Sequence, residues 1–280
     1  TAVPAWVATG EQIADKFGTA VASAGDVNND TYDDIIIGAP EYNGTSGVPS
    51  GRAYVYYGSA AGLSTTADWI AESDLDGSRF GISVNSAGDV NNDTFADVII
   101  GAPDYAPNGV TGLTAVYLGG QNGLPAANPP VATLGDASSV LIGQLPFGAP
   151  HQFGFAAAAA GDVNGDGFGD VIVGAPGYGD QFGVYGAAFV YFGTPQGEVL
   201  TPTILSAYIP DAMFGHDVGS AGDMNGDGYN DVVVGAPGYN PISQGSRPTL
   251  AGGGGAFVYQ GTPTISELFL LWSGASLTTN

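Results

Sequence analysis

A nine-residue pattern, Asp-x-Asn-x-Asp-x-x-x-Asp, occurs four times in this chain, each time inside a longer repeat. The repeats are FGTAVASAGDVNNDTYDDIIIGAP (Phe17 to Pro40), FGISVNSAGDVNNDTFADVIIGAP (Phe80 to Pro103), FGFAAAAAGDVNGDGFGDVIVGAP (Phe153 to Pro176) and FGHDVGSAGDMNGDGYNDVVVGAP (Phe214 to Pro237). A Tyr-rich run follows each: AYVYYG from Ala53, AVYLG from Ala115, AFVYFG from Ala188 and AFVYQG from Ala256. A Trp recurs as well, since Trp6 precedes Phe17 as Trp69 precedes Phe80, and Trp272 follows Gly261 as Trp69 follows Gly58. Such self-similarity marks an array of units, each burying its apolar face against a neighbour.

Each repeat reads as four strands, A to D. Strand A begins at the Phe-Gly pair and is made of small residues; Ala156 to Ala160 alone would suggest a helix, but its alignment with Thr19 to Ala24 overrides propensity. Strand B is a continuous β-branched run, such as Ile35 to Ile37 or Val232 to Val234, as expected where both faces are buried. Strand C alternates aromatic and aliphatic residues and ends on Gly, and strand D carries the Trp. The expectation is an all-β fold, a β-propeller-like array of four-stranded antiparallel blades forming one domain over 1–280. Its repeats run over about 17–79, 80–152, 153–213 and 214–280, with 1–16 as an extra N-terminal outer strand.

The Asp-rich pattern falls on the A–B turn. Alternating oxygen donors let a tight turn wrap one hard cation, and Ca²⁺ takes about 6–8 oxygens. The candidate metal ligands are Asp26, Asn28, Asp30, Tyr32 and Asp34; Asp89, Asn91, Asp93, Phe95 and Asp97; Asp162, Asn164, Asp166, Phe168 and Asp170; and Asp223, Asn225, Asp227, Tyr229 and Asp231. The aromatic residue at the seventh position offers only its backbone carbonyl. No His or Cys lies nearby, so zinc and copper are disfavoured. The expected cofactor is Ca²⁺, one ion per repeat at four sites. Asx-turns without a metal are the competing reading. A helical EF-hand is rejected, because the twelfth position is Ile37, Ile100, Val173 or Val234 and strands flank the loop. At the sixth position Gly167 and Gly228 contrast with Thr31 and Thr94, so the first two loops are expected to bind more weakly or turn differently.

Charge narrows the partners. Four Lys and Arg stand against 27 Asp and Glu, and a net charge of −23 repels nucleic acid and anionic membrane surfaces. Twelve of the acids stand at the candidate ligand positions of the four loops. No apolar run reaches the roughly 20 residues of a membrane span, so no direct membrane insertion is expected. With no cysteine there are no disulfides. The chain opens on Thr1 rather than Met, which reads as processing or trimming.

Phe-Gly, then Gly-Asp-[Val/Met]-Asn-x-Asp, then Gly-Ala-Pro resembles the FG-GAP repeat of integrin α-subunit propellers and their prokaryotic relatives. The resemblance implies an extracellular or cell-surface, calcium-binding propeller, usually of seven blades, with adhesive or ligand-binding roles. This chain has four repeats and no cysteine, which points to a prokaryotic-type integrin-like surface protein. An arc of a larger propeller, half of a two-chain ring and a four-blade ring with a spare strand all fit the count. The leading function is a calcium-stabilised adhesion or ligand-binding module. A carbohydrate-binding lectin and a structural subunit of a surface layer or filament are the alternatives.

If the A–B loops hold calcium on one face, the B–C and D–A loops lie on the other. All four basic residues, Lys16, Arg52, Arg79 and Arg247, map there, as does the Tyr after each Gly-Ala-Pro. Tyr42, Tyr105, Tyr178, Tyr239, Arg52 and Arg79 are therefore candidate ligand-binding residues for a protein or glycan, with packing as the competing role. Self-association through the end strands is a further expectation. His151 and His216 show no Ser-His-Asp or paired-carboxylate setting, so packing roles and no enzymatic activity are expected. Asn43-Gly44-Thr45 is a glycosylation sequon on an expected loop.

Overall fold

In a computed structural model, which describes residues 2–44, 46–107, 112–125, 131–142, 151–180, 183–197, 202–240, 253–263 and 269–274, each repeat forms one four-stranded antiparallel sheet. Blade 1 contains β1 (Ala20–Gly25), β2 (Asp34–Ala39), β3 (Arg52–Tyr56) and β4 (Trp69–Glu72) in that spatial order. Blade 2 contains β5 (Ser83–Gly88), β6 (Asp97–Ala102), β7 (Leu113–Tyr117) and β8 (Ser139–Ile142). Blade 3 contains β9 (Ala156–Gly161) and β10 (Asp170–Ala175), then a small hairpin of β11 (Gly179–Asp180) and β12 (Gly183–Val184). It is completed by β13 (Ala187–Tyr191) and β14 (Thr203–Leu205). Blade 4 contains β15 (Asp217–Gly222), β16 (Asp231–Ala236), β17 (Gly255–Gln260) and β18 (Phe269–Gly274). The Ala run is indeed strand β9, because its partner β10 and the strands of the flanking blades hold it extended.

The core lies between blades rather than within them. Strands B and C are buried on both faces, so alternate residues serve two joints: Ile36 and Val55 pack toward blade 2, whereas Ile37, Tyr54 and Tyr56 face the other way. The three joints between consecutive blades share one set of contacts. The Gly of Gly-Ala-Pro lets the next blade's Phe-Gly turn approach closely, since a Cβ at Gly38, Gly101 or Gly174 would strike the carbonyl oxygen of Gly81, Gly154 or Gly215. Short parallel bridges run from Gly51 to Phe80, Gly112 to Phe153 and Gly186 to Phe214. At the other end of the blades, the loop carbonyls of Val27, Val90 and Val163 accept from the N–H groups of Gly120, Thr194 and Thr262 at 2.9, 3.1 and 2.8 Å. Phe80, Phe153 and Phe214 are sealed in these joints.

Among the described residues, blades 4 and 1 share no such joint. Gly235 meets only Asp217 of its own blade, Gly18 meets nothing, Phe17 is only half-buried, and Met224 is 60% exposed where Val27, Val90 and Val163 are buried. The four blades therefore form an open arc. Residues 2–16 form no strand, contrary to the expected extra outer strand, because no described strand lies beside the segment to complete a ladder. Trp6 nevertheless sits edge-on against Tyr56 at 5.0 Å, as Trp69 sits against Tyr117 at 4.9 Å. The segment thus occupies the outer-strand place of a preceding blade.

Gly174→Ala should cost about 1–3 kcal/mol, because the new methyl collides with the Gly215 backbone across a packed joint. Gly235→Ala should stay within about 0.5 kcal/mol in dilute solution, because its face is open. Urea unfolding of the two variants checks the pair; equal losses would contradict the open arc.

Candidate functional site

Each A–B turn begins at a β-bulge that ends strand A, with register shifts at Ser23/Gly25, Ser86/Gly88, Asp170/Val171 and Ser220/Gly222. The first Asp then folds the loop onto itself. In blade 1, Asp26 Oδ1 accepts from Asp30 N at 3.0 Å and Oδ2 from Thr31 N at 2.8 Å, while Asp30 Oδ1 accepts from Tyr32 N at 3.0 Å. Asn28 Oδ1 also accepts from Asp30 N, at 3.0 Å. The same bonds recur from Asp89, Asn91 and Asp93, from Asp162, Asn164 and Asp166, and from Asp223, Asn225 and Asp227. The N–H groups of Gly228, Gly226 and Asp227 hold the exposed Asp223 carboxyl below its ordinary range, the bond from Gly228 being the strongest influence.

The last Asp behaves differently. Asp34, Asp97, Asp170 and Asp231 are fully buried, and each staples three segments. One carboxylate oxygen accepts from the N–H following the first Asp: Val27 at 3.0, Val90 at 2.7, Val163 at 2.8 and Met224 at 2.9 Å. The other accepts from the Gly that ends strand C: Gly58 at 2.8, Gly119 at 2.9, Gly193 at 2.9 and Gly261 at 3.0 Å. Burial pushes the Asp34 carboxyl up to about 6, and those of Asp97 and Asp170 to about 7. The two N–H bonds oppose that rise, and the other two acids of the loop add to it. Strand C was not expected to take part; the recurrent Gly after each Tyr-rich run was the available signal.

These residues fit a hard cation in charge and donor chemistry. Each loop gathers three carboxylates and an Asn oxygen, and no ion pair among the described residues joins a Lys or Arg to them. The side chains are turned to backbone N–H groups, and among the described residues no group of three or more His, Cys, Asp or Glu converges as a preformed cage. A carboxylate oxygen that accepts one N–H retains a lone pair, so both roles are compatible.

The Thr and Gly loops take the same turn. Thr31 and Thr94 have φ of 78° and 77°, against 90° and 93° for Gly167 and Gly228, and the N–H of each bonds to the first Asp. The expected difference in turn is therefore absent. Short Asp-to-N–H bonds hold the β-branched residues in a left-handed conformation. Asn29 Nδ2 also donates to Thr94 Oγ1 at 3.1 Å, linking loops of adjacent blades.

On the opposite face the four Tyr close identical turns, donating to Ala39, Ala102, Ala175 and Ala236 carbonyls at 3.0–3.1 Å. The Arg52 guanidinium lies 3.6 Å over the Tyr42 ring and pairs with Glu11 at 3.0 Å and Glu72 at 2.5 Å. Tyr178 and Tyr239 pack edge-on against Phe189 and Phe257. Arg79 pairs with Asp104 and, like the half-buried Tyr105, is partly exposed. Lys16 is exposed, whereas Arg247, Thr45 of the sequon and the Trp272 side chain lie outside the described residues. His151 is buried beside Tyr178, and His216 lies against Phe155.

The family model for the FG-GAP repeat matches residues 17–56, 80–118, 153–192 and 214–259. The chain is 34% identical over 175 residues to integrin alpha-PS2 of Drosophila melanogaster, covering 60% of this chain and 12% of that protein. It is 31% identical over 261 residues to integrin alpha-5 of Xenopus laevis, covering 89% and 21%. It is 36% identical over 164 residues to phosphatidylinositol-glycan-specific phospholipase D of Bos taurus, covering 57% and 19%. The chain thus spans about a fifth or less of the length of these relatives.

Thr31→Gly should raise stability by about 0.5–1 kcal/mol, the relieved strain outweighing glycine's unfolded-state freedom. Thr94→Gly should gain less, because it also loses the Asn29 bond. Thermal unfolding of both variants checks the order.

Proposed function

The chain belongs to the FG-GAP repeat family, and on that premise we propose that it works as a calcium-stabilised, extracellular adhesion or ligand-binding module of the integrin-alpha-like kind. One observation carries the calcium part. Four buried carboxylates, each beside two further acids and unpaired with any described base, staple loop to sheet in every blade. Burying such an anion is costly unless a cation is near. In each loop the Asp, Asn, Asp and final Asp side chains, with the carbonyl at the seventh position, would hold the ion. When bound, Ca²⁺ supplies positive charge to the clustered carboxylates and ties the A–B turn together. The protein residues position the rest: the loops brace one face, and the B–C and D–A turns present the other.

The proposed ligand surface is that second face. Its rigid part is the Tyr42, Arg52 and Glu72 clasp, which holds the turn geometry, and its accessible part includes Tyr105 and Arg79. A protein ligand is the reading that the family membership favours. We assign no catalytic role, because both His side chains pack against aromatic rings rather than beside a nucleophile. No helix among the described residues is long and apolar enough to cross a membrane.

Calcium binding that favours the native state should raise the melting temperature, with about 2.7 kcal/mol per independent site at a hundredfold excess over Kd. Calorimetric melts in Ca²⁺, in Mg²⁺ and in chelator test this. The expected order is Ca²⁺ well above Mg²⁺ and chelator, with Asp30→Ala and Asp166→Ala each removing part of the gain. A melt unchanged by chelator would refute the structural role.

A further inference from the structure

We propose that the two ends of the arc are the halves of one blade joint, and that their occupant is a second copy of this chain docked head to tail. The three inner joints define what each face takes. On the trailing side of a blade, the Gly of Gly-Ala-Pro receives the Phe-Gly turn of the next repeat. Among the described residues nothing covers this receiving side on blade 4, where a 270 Å³ hollow is lined by Asp217, Val218, Gly219, Val233, Gly235 and Ala256. On the leading side of a blade, the Phe-Gly turn projects. Blade 1 has it uncovered, with Phe17 half-buried and open space beside Gly18.

The rest of the joint is duplicated just as fully. The inner joints pair the N–H after the strand-C Gly with the carbonyl of the second loop residue, as in Gly120 to Val27 at 2.9 Å. The corresponding pair across the ends is the Ser59 N–H and the Met224 carbonyl. Inner joints also pair Ala96, Gly169 and Asn230 N–H groups with the carbonyls of Asp26, Asp89 and Asp162 at 3.0, 2.8 and 2.9 Å. The counterpart is Asp33 N–H with the Asp223 carbonyl. Met224, exposed at 60%, stands where buried Val seals every inner joint. A second copy supplies both missing halves in the right order, and no new recognition chemistry is needed.

One obstacle is visible. Residues 2–9 lie against blade 1 in the outer-strand place of a preceding blade, where the docking copy's β18 must lie. The segment yields to that strand, because β18 pairs with β17 along a five-position ladder while residues 2–9 form no strand and anchor through the Trp6 indole N–H to Ser64 O at 2.8 Å. Each copy carries a charge of −23, so docking is opposed by repulsion and is favoured by bound cations and by salt.

Sedimentation velocity across a wide range of protein concentration, in saturating Ca²⁺ and moderate salt, tests this. The wild-type chain should populate multiples of its monomer mass as concentration rises. Gly235→Ala and Met224→Asp should each weaken association at least about tenfold. Gly235→Ala should do so with the unfolding midpoint of the dilute protein unchanged, which separates a lost joint from a damaged fold. Trp6→Ala should strengthen association by freeing the Tyr56 surface. A strictly monomeric chain at all concentrations would overturn the proposal and assign the ends to further repeats of a longer polypeptide. Association indifferent to Gly235→Ala and Met224→Asp would overturn it equally.

Discussion

Much of this architecture hangs on one buried carboxylate per blade. Asp34, Asp97, Asp170 and Asp231 each accept two backbone N–H groups from segments that are distant in sequence. Hydrogen bonds to an ionised acceptor contribute about 1.5–3 kcal/mol each, and leaving such donors unsatisfied in the interior costs about as much. The staple therefore fixes the entry to strand B, the loop and the exit from strand C at one point. At Asp34, Asp97 and Asp170 it works against burial, which pushes the carboxyl up, and the proposed divalent cation would relieve that opposition. Fold and the proposed metal site thus share one residue per repeat.

The joints follow from the same point. Once the staple fixes the loop, the carbonyl of its second residue faces the next blade and accepts from the strand-C end there. Small residues on strand A and the Gly of Gly-Ala-Pro then allow the close approach that seals a Phe between sheets. Every blade is consequently a two-sided element whose faces are complementary. An array of such elements closes only when its last face meets its first, and in this arc they do not meet.

Most of the sheet architecture was legible in the sequence. The Phe-Gly, β-branched and Tyr-rich runs placed strands A, B and C, because small, β-branched and aromatic positions carry distinct packing demands that recur in register. The position-six Thr residues misled as to the turn alone: intrinsic preference argues against a left-handed Thr, but the Asp26 and Asp89 bonds outweigh it. Tyr42 and Arg52 combine the residue types of a binding hot spot, yet their proximity to Glu11 and Glu72 makes them a clasp, and no local pattern encodes that proximity. Trp6 marks the outer-strand place, but the strand expected over 1–16 does not form, since a strand exists only with a partner. Whether the ends meet was not encoded in the repeat count at all, because it depends on the angle between blades.

The most direct test is amide hydrogen exchange, followed by NMR, in the wild type and in Asp97→Ala. The staple predicts that the amides of Val90 and Gly119, in the A–B loop and at the end of strand C, lose protection together. Val163 and Gly193 should keep theirs, because Asp170 still holds them. Independent behaviour of Val90 and Gly119, or unchanged protection at both, would contradict the buried carboxylate as the tie between loop and sheet.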